Sequence, residues 1–225
     1  MLLPYYRTFI TAHKIMAWQP PGVLLLDKCI PFGIIGLMDN RTYLMEHALA
    51  LFSARGYDAV GIQEICEAAS VTKPTLYHYF NSKRGLLQAL LGRHFEPLLA
   101  ALELSSVYEH DITFSLDKVI STYFAYATQN ISFYRWQLAM QFAPQESEPH
   151  QAVLPYSKKQ FRMLENLFRQ AEADHGNMRG RSEAYAATFL GMINTYINLF
   201  YEQQLDLNAD LVHRLQHQFM HGIFS

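Results

Sequence analysis

The stretch 71-VTKPTLYHYFNSK-83 mixes apolar and hydrogen-bonding groups more finely than a buried helix requires. Thr72 has the place of an N-cap, where a hydroxyl accepts the N–H two or three residues on. Pro74 falls in the first helical turn, where a missing N–H costs nothing in the ladder. On a helix starting there, Leu76 and Phe80 lie four apart and point the same way, inward against Leu44, Phe52 and Ile65. Lys73, Thr75, Tyr77, His78 and Tyr79 are left for the exposed and flanking surface. Taken singly, Tyr77 and Tyr79 fit a plain packed corner equally well, so the reading depends on what surrounds the segment.

Upstream, Tyr43, Leu44, Ala48, Leu51 and Phe52 recur at helical steps, and Gly56 after Arg55 offers a left-handed stop. A second short helix fits Ile62 to Ala69. Asn81 and Ser82 interrupt the pattern after Phe80, and Lys83 opens a fourth helix through Leu86, Leu87, Leu90 and Leu91. Two short helices joined by a tight turn, the second one capped, make a helix-turn-helix. The N-terminal turn of such a second helix can enter a major groove and meet base edges. Tyrosine hydroxyls, the His78 ring and Lys83 can then reach phosphates on either side, which fixes register without reading sequence.

The strings ALALFSARGYDAVGIQEICEAASVTKPTLYHYF and NSKRGLLQALL resemble the DNA-binding domain of the TetR (tetracycline-repressor) family of bacterial transcription regulators over residues 41–91. The resemblance implies base contacts from Lys73, Pro74 and Thr75, backbone contacts from Tyr77 and Lys83, and a base or phosphate contact from Gln63. Thr72, His78 and Tyr79 complete the expected DNA-binding set. Two positions depart from the family pattern. Gly61 stands where many members have threonine, so a hydroxyl contact to phosphate is absent or is made by the backbone. Ser70 stands where many have glycine, and a serine held at positive φ costs on the order of 1 kcal/mol.

The rest of the chain matches the family only in general plan. It predicts helices near 96–107, 115–142, 156–175, 181–204 and 208–223, with a loop at 143-APQESEPHQAVLP-155. The helix around 183–202 is apolar on two sides and must be covered on both. Two such C-terminal helices from each of two subunits would build a four-helix interface, also the family's way of dimerising. Phe189, Ile193, Tyr196, Ile197, Phe200, Leu211, Leu215 and Phe219 are its expected residues. A dimer would set two reading helices about 34–36 Å apart, the spacing of successive major grooves. Aromatic crowding nominates Tyr123, Phe124, Trp136, Met140, Tyr185 and Met192 as a pocket for a small hydrophobic or aromatic ligand, although ordinary core explains the same rings. His213, His217 and His221 share one helical face, but no cysteine or carboxylate adjoins them in sequence, and no metal or cofactor is expected.

Composition supports a globular protein, with half of its 225 residues hydrophobic and a net charge of −2, and the helical patterning with the family resemblance makes the expected fold class all-α. Six Lys/Arg face five Asp/Glu between Met38 and His94, against nine and fourteen from Phe95 onward. DNA contact must therefore come from local placement of donors. The two cysteines suit a reducing cytoplasm. Residues 1–37 lack clean periodicity, and neither of their apolar runs approaches the roughly 18 residues of a membrane span. The first expectation is that Met38 is the natural start and 1–37 an N-terminal extension outside the natural protein; a genuine accessory arm is the second reading and a membrane-associated segment the third. Residues 38–92 form the expected DNA-binding domain, and 93–225 the expected helical domain for ligand binding and dimerisation. The expected function is a ligand-responsive repressor acting as a homodimer on a palindromic operator of double-stranded DNA. A helical ligand-binding protein or enzyme with a vestigial helix-turn-helix is the alternative, against which stands the lack of a nucleophile motif or a phosphate-cradling glycine loop.

Overall fold

The computed structural model describes residues 40–222. The chain divides into two units at 37/38, and the whole of the first, with every expectation placed on it, lies outside the described residues. The described residues form nine α-helices and no strand: α1 (Asn40–Arg55), α2 (Ile62–Ala68), α3 (Lys73–Phe80), α4 (Lys83–Ser105), α5 (Ile112–Gln129), α6 (Ile131–Gln141), α7 (Glu148–Ala171), α8 (Ser182–Tyr201) and α9 (Ala209–His221). A 3-10 turn, Gly176–Met178, joins α7 to α8.

The first four helices start and stop where local chemistry dictates. α1 ends at Gly56, which takes φ +81°. The turn from α2 to α3 is closed by two backbone bonds, from Val71 N to Cys66 O at 2.9 Å and from Ser70 N to Glu67 O at 3.1 Å. That pair is a Schellman motif, and its left-handed residue is Ser70 at φ +53°. Thr72 and Ser82 cap α3 and α4, their hydroxyls accepting from Thr75 N and Gly85 N at 3.4 and 2.9 Å.

Three expectations for the later helices are corrected. The segment near 96–107 is no separate helix but the second half of α4, which runs through Pro97. Proline deletes one rung of the ladder there, and burial of Phe95, Leu98, Leu99 and Leu102 holds the helix regardless. The span 115–142 is two helices, broken at Asn130, whose side-chain amide donates to Tyr126 O at 3.1 Å. Most of the expected loop at 143–155 is helical: Ser147 caps α7 and Pro149 lies in its first turn. Pro155 lies inside the helix rather than before it, with Val153, Gln160, Leu164, Leu167 and Phe168 giving α7 its buried face.

One apolar cluster runs from Leu44 of α1 to Leu215 of α9. The stretch of α4 on both sides of position 92 belongs to it, so the helix that follows the helix-turn-helix is also a beam of the C-terminal core. No helix among the described residues is long and apolar enough to cross a membrane.

Candidate nucleic-acid interface

α3 is held from below and open above. Leu76 and Phe80 are buried, while Lys73, Pro74, Tyr77 and His78 are exposed, Tyr77 to 44 %. The first turn is stiffened by its own hydroxyls, with Thr72 Oγ1 and Thr75 Oγ1 2.9 Å apart. Thr75 and Tyr79 are half-buried, and Tyr79 packs partly against the core, its ring edge-on to His78 at 5.2 Å. Gln63 is exposed on α2 and donates to Glu67 Oε1 at 2.6 Å. Gly61 caps α2 with no side-chain bond.

Lys83 is placed differently from a free phosphate ligand. Its ammonium donates to Tyr57 O at 2.6 Å and sits 4.0 Å from the centroid of the Tyr57 ring. Burial holds this ammonium below the usual lysine range, against the opposite pull of Asp58 and Glu148. Reaching a phosphate would require the side chain to leave these partners.

Sequence reasoning missed the residues behind this contact. Tyr57, in the α1–α2 turn and 4 % exposed, donates through its hydroxyl to Glu148 Oε2 at 2.7 Å. Arg84 Nε lies 3.7 Å from the other oxygen of that carboxylate. Burial, and then the bond to Glu148, push the Tyr57 phenol well up, so it stays a donor at any ordinary pH. The Phe52 ring lies against Tyr57 at 5.2 Å and stacks on Trp136 of α6 at 5.4 Å. Gly85 was missed too: a Cβ there would stand 1.9 Å from the Phe80 carbonyl oxygen, so the close approach of α4 to the end of α3 needs glycine. That approach had no signal in sequence beyond the glycine itself.

The expected ligand residues do not converge on one cavity. Tyr123, Phe124, Trp136 and Met140 are core residues, and the Tyr123 hydroxyl donates to Gln160 Oε1 at 3.0 Å. Trp136 also borders a groove of about 500 Å³ between α1 and α6, with Phe52, Ile131 and Arg135. Tyr185 lines a pocket of about 130 Å³ with Phe168, Met178 and Phe219. Met192 is half-buried on α8. A wider groove of about 610 Å³ separates α6 from α8, lined by Arg135, Leu138, Phe142, Asn194 and Leu199. Phe142, at its edge, is 87 % exposed.

The expected dimer surface is corrected in part. Phe189, Ile193, Ile197, Leu211 and Leu215 are buried within the subunit's own core, where they cannot meet a partner. Phe219 packs beside Phe168, Tyr185 and Phe189 and is half-buried. Tyr196 and Phe200 stay half-exposed, and the Tyr196 hydroxyl bonds Gln218 Oε1 of α9 at 3.2 Å. α8 is apolar on two sides, and packing on α7 and α5 decides which side turns inward. The His217 and His221 rings lie 4.5 Å apart, and among the described residues no group of three or more His, Cys, Asp or Glu gathers as a metal site.

Residues 44–90 match the family profile described as "Bacterial regulatory proteins, tetR family". Over 97 residues the chain is 32 % identical to the HTH-type transcriptional activator FasR of Mycolicibacterium smegmatis, covering 43 % of this chain and 44 % of that protein. Over 100 residues it is 31 % identical to the HTH-type transcriptional repressor KstR2 of Rhodococcus jostii, covering 41 % and 49 %. These matches span less than half the length of either relative. In fold, the chain resembles the transcriptional regulator FadR of Bacillus subtilis, solved in complex with stearoyl-CoA, at a TM-score of 0.67 and 18 % identity, over 80 % of this chain and 98 % of that one.

Proposed function

We propose that this chain, which carries the tetR-family N-terminal domain at residues 44–90, is a DNA-binding transcription regulator that acts as a homodimer. The observation that carries the reading is α3 itself: Leu76 and Phe80 pin it to the core while Lys73, Pro74, Tyr77 and His78 face outward from a capped first turn. Lys73, Pro74 and Thr75 read base edges, with Thr72 ordering the turn. Tyr77, His78, Tyr79 and Gln63 hold the backbone, and Lys83 joins them only by releasing Tyr57. The target is a palindromic operator, the proposed sign is repression, and the site of action is the cytoplasm. No catalytic chemistry belongs to the proposal.

In this reading residues 38–92 bind DNA and 93–225 bind ligand and dimerise. The outward sides of α8 and α9, joined at Tyr196 and Gln218, form the dimer surface together with Phe200. An apolar effector seats in the grooves beside α6, and release of DNA follows from its different affinity for two arrangements of the dimer.

The test is titration of the full chain against a labelled duplex from directly upstream of its own gene. Two chains should bind per duplex, with an affinity that falls steeply with salt. Lys73→Ala with Thr75→Ala should weaken binding by about 1–3 kcal/mol for each base interaction removed. Binding equal to wild type in the double variant would refute the assignment of α3. Duplex binding without salt dependence, or none at all, would favour the vestigial alternative. Stearoyl-CoA, the ligand of the fold neighbour, is the first effector to try for release.

A further inference from the structure

The three contacts around Tyr57 join parts of the chain that are far apart in sequence. The Tyr57 hydroxyl reaches Glu148 across 91 residues, from the α1–α2 turn to the first residue of α7. Arg84 approaches the same carboxylate from the first turn of α4. Lys83, the residue after the cap of α4, clamps the carbonyl and ring face of Tyr57 from the other side. Only Asn81 and Ser82 separate Lys83 from the last residue of α3, and Asn81 is fixed at φ +59° with its N–H on Tyr77 O. The end of the DNA-reading helix is therefore tied to Tyr57, and Tyr57 is tied to α7.

We infer that Tyr57 and Glu148 are positioning residues for DNA binding: their hydrogen bond, with Arg84 on the same carboxylate, sets the orientation of α3 from the start of α7. The inference rests on the regulator reading above. Neither residue needs to touch DNA. Tyr57 is buried, and Glu148 would repel phosphate. Their effect comes from restricting the angles that α3 can adopt relative to the C-terminal helices. A reading helix held in its competent orientation binds more tightly by the factor it would otherwise lose to incompetent ones. In a dimer that factor enters twice, once for each subunit.

Tyr57→Phe deletes the hydroxyl and keeps the ring beneath Lys83. Glu148→Ala deletes the acceptor. Glu148→Gln keeps an oxygen for the hydroxyl but loses the charge facing Arg84. The expected result is that Tyr57→Phe and Glu148→Ala each weaken duplex binding about tenfold. The double variant should be no weaker than Glu148→Ala, since removing the carboxylate already breaks the bond from Tyr57. The salt slope should stay at its wild-type value, because no phosphate contact is removed. Glu148→Gln should recover most of the affinity. Additive losses, a changed salt slope, or unaltered affinity in Tyr57→Phe would overturn the inference.

Hydrogen exchange on the full chain without DNA gives a second, independent reading. Both single variants should speed exchange in α3 and in the first turn of α7 together, and acceleration on one side alone would count against the joint. If wild type binds no duplex, the regulator reading falls, and the exchange result still decides whether the joint exists.

Discussion

Ser70 shows how one residue can carry a cost that the fold tolerates. It occupies the left-handed position of the Schellman motif between α2 and α3 at φ +53°. Replacing it with glycine removes a strain on the order of 1 kcal/mol and returns part of that as unfolded-chain entropy. Ser70→Gly should therefore stabilise the protein by roughly 0.5 kcal/mol, read as a small rise in Tm, and a lowered Tm would speak against this turn geometry. This position was legible through the family resemblance, since many members have glycine where this chain has Ser70. Tyr57 was not legible, since its partner lies 91 residues away and a tyrosine in a turn announces nothing by itself. His94 is the other informative single residue. Its ring stacks on Phe133 at 4.4 Å, and burial, with a smaller push from Arg93, holds its pKa below the usual value, against a hydrogen bond that the ring donates to the Asn130 side chain. The unfolded chain therefore takes up the proton first. Stability present above about pH 6.5 should fall as the pH drops from there toward the folded value, then level off. His94→Gln should remove that part of the slope in a Tm series from about pH 7.5 to 5, and an unchanged slope would assign it elsewhere.

At the scale of elements, α4 offers a paired comparison between two glycines in one helix. Gly85 faces the Phe80 carbonyl oxygen at a distance where a methyl group cannot stand, 1.9 Å. Gly92 would place its methyl 3.7 Å from Glu96 Oε1 and Tyr156 Oη, an ordinary contact. Gly85→Ala should cost about 1–3 kcal/mol and loosen the α3–α4 corner. Gly92→Ala should gain about 0.5–1 kcal/mol from helix propensity. Urea titration of both variants checks the pair, and equal effects would show that α4 does not press on α3 as described. The boundaries of α1 to α3 followed from caps, glycine and periodicity. Those of α4 and α7 did not: the expected helices near 96–107 and 156–175 begin beside Pro97 and Pro155, which lie inside α4 and α7. Inside a long helix one missing rung is outweighed by a buried face, such as Phe95, Leu98, Leu99 and Leu102 give α4. α8 failed for a different reason. Its two apolar stripes are equivalent in sequence, and only packing against α7 and α5 selects Phe189, Ile193 and Ile197 for the subunit's own core.

For the whole molecule, the span and cap of α3 were the most legible part and the surroundings of the expected ligand residues the least. A recognition surface needs a pattern of side chains on one short element, which sequence displays directly. A cavity is what side chains from several helices fail to fill, and no stretch of sequence displays that. Tyr123 and Phe124, with Met140 beside them in the core, fill space rather than enclose it. The continuity of α4 has one more outcome, for cutting and joining the chain. A break after residue 92 would leave Leu90 and Leu91 without Phe95 and Leu98, which share their cluster on the next turns. The residues up to 92 are thus not a cartridge to be lifted from one chain and fitted to another. A working hybrid would have to carry α4 whole, and with it Glu148 as the socket for Tyr57.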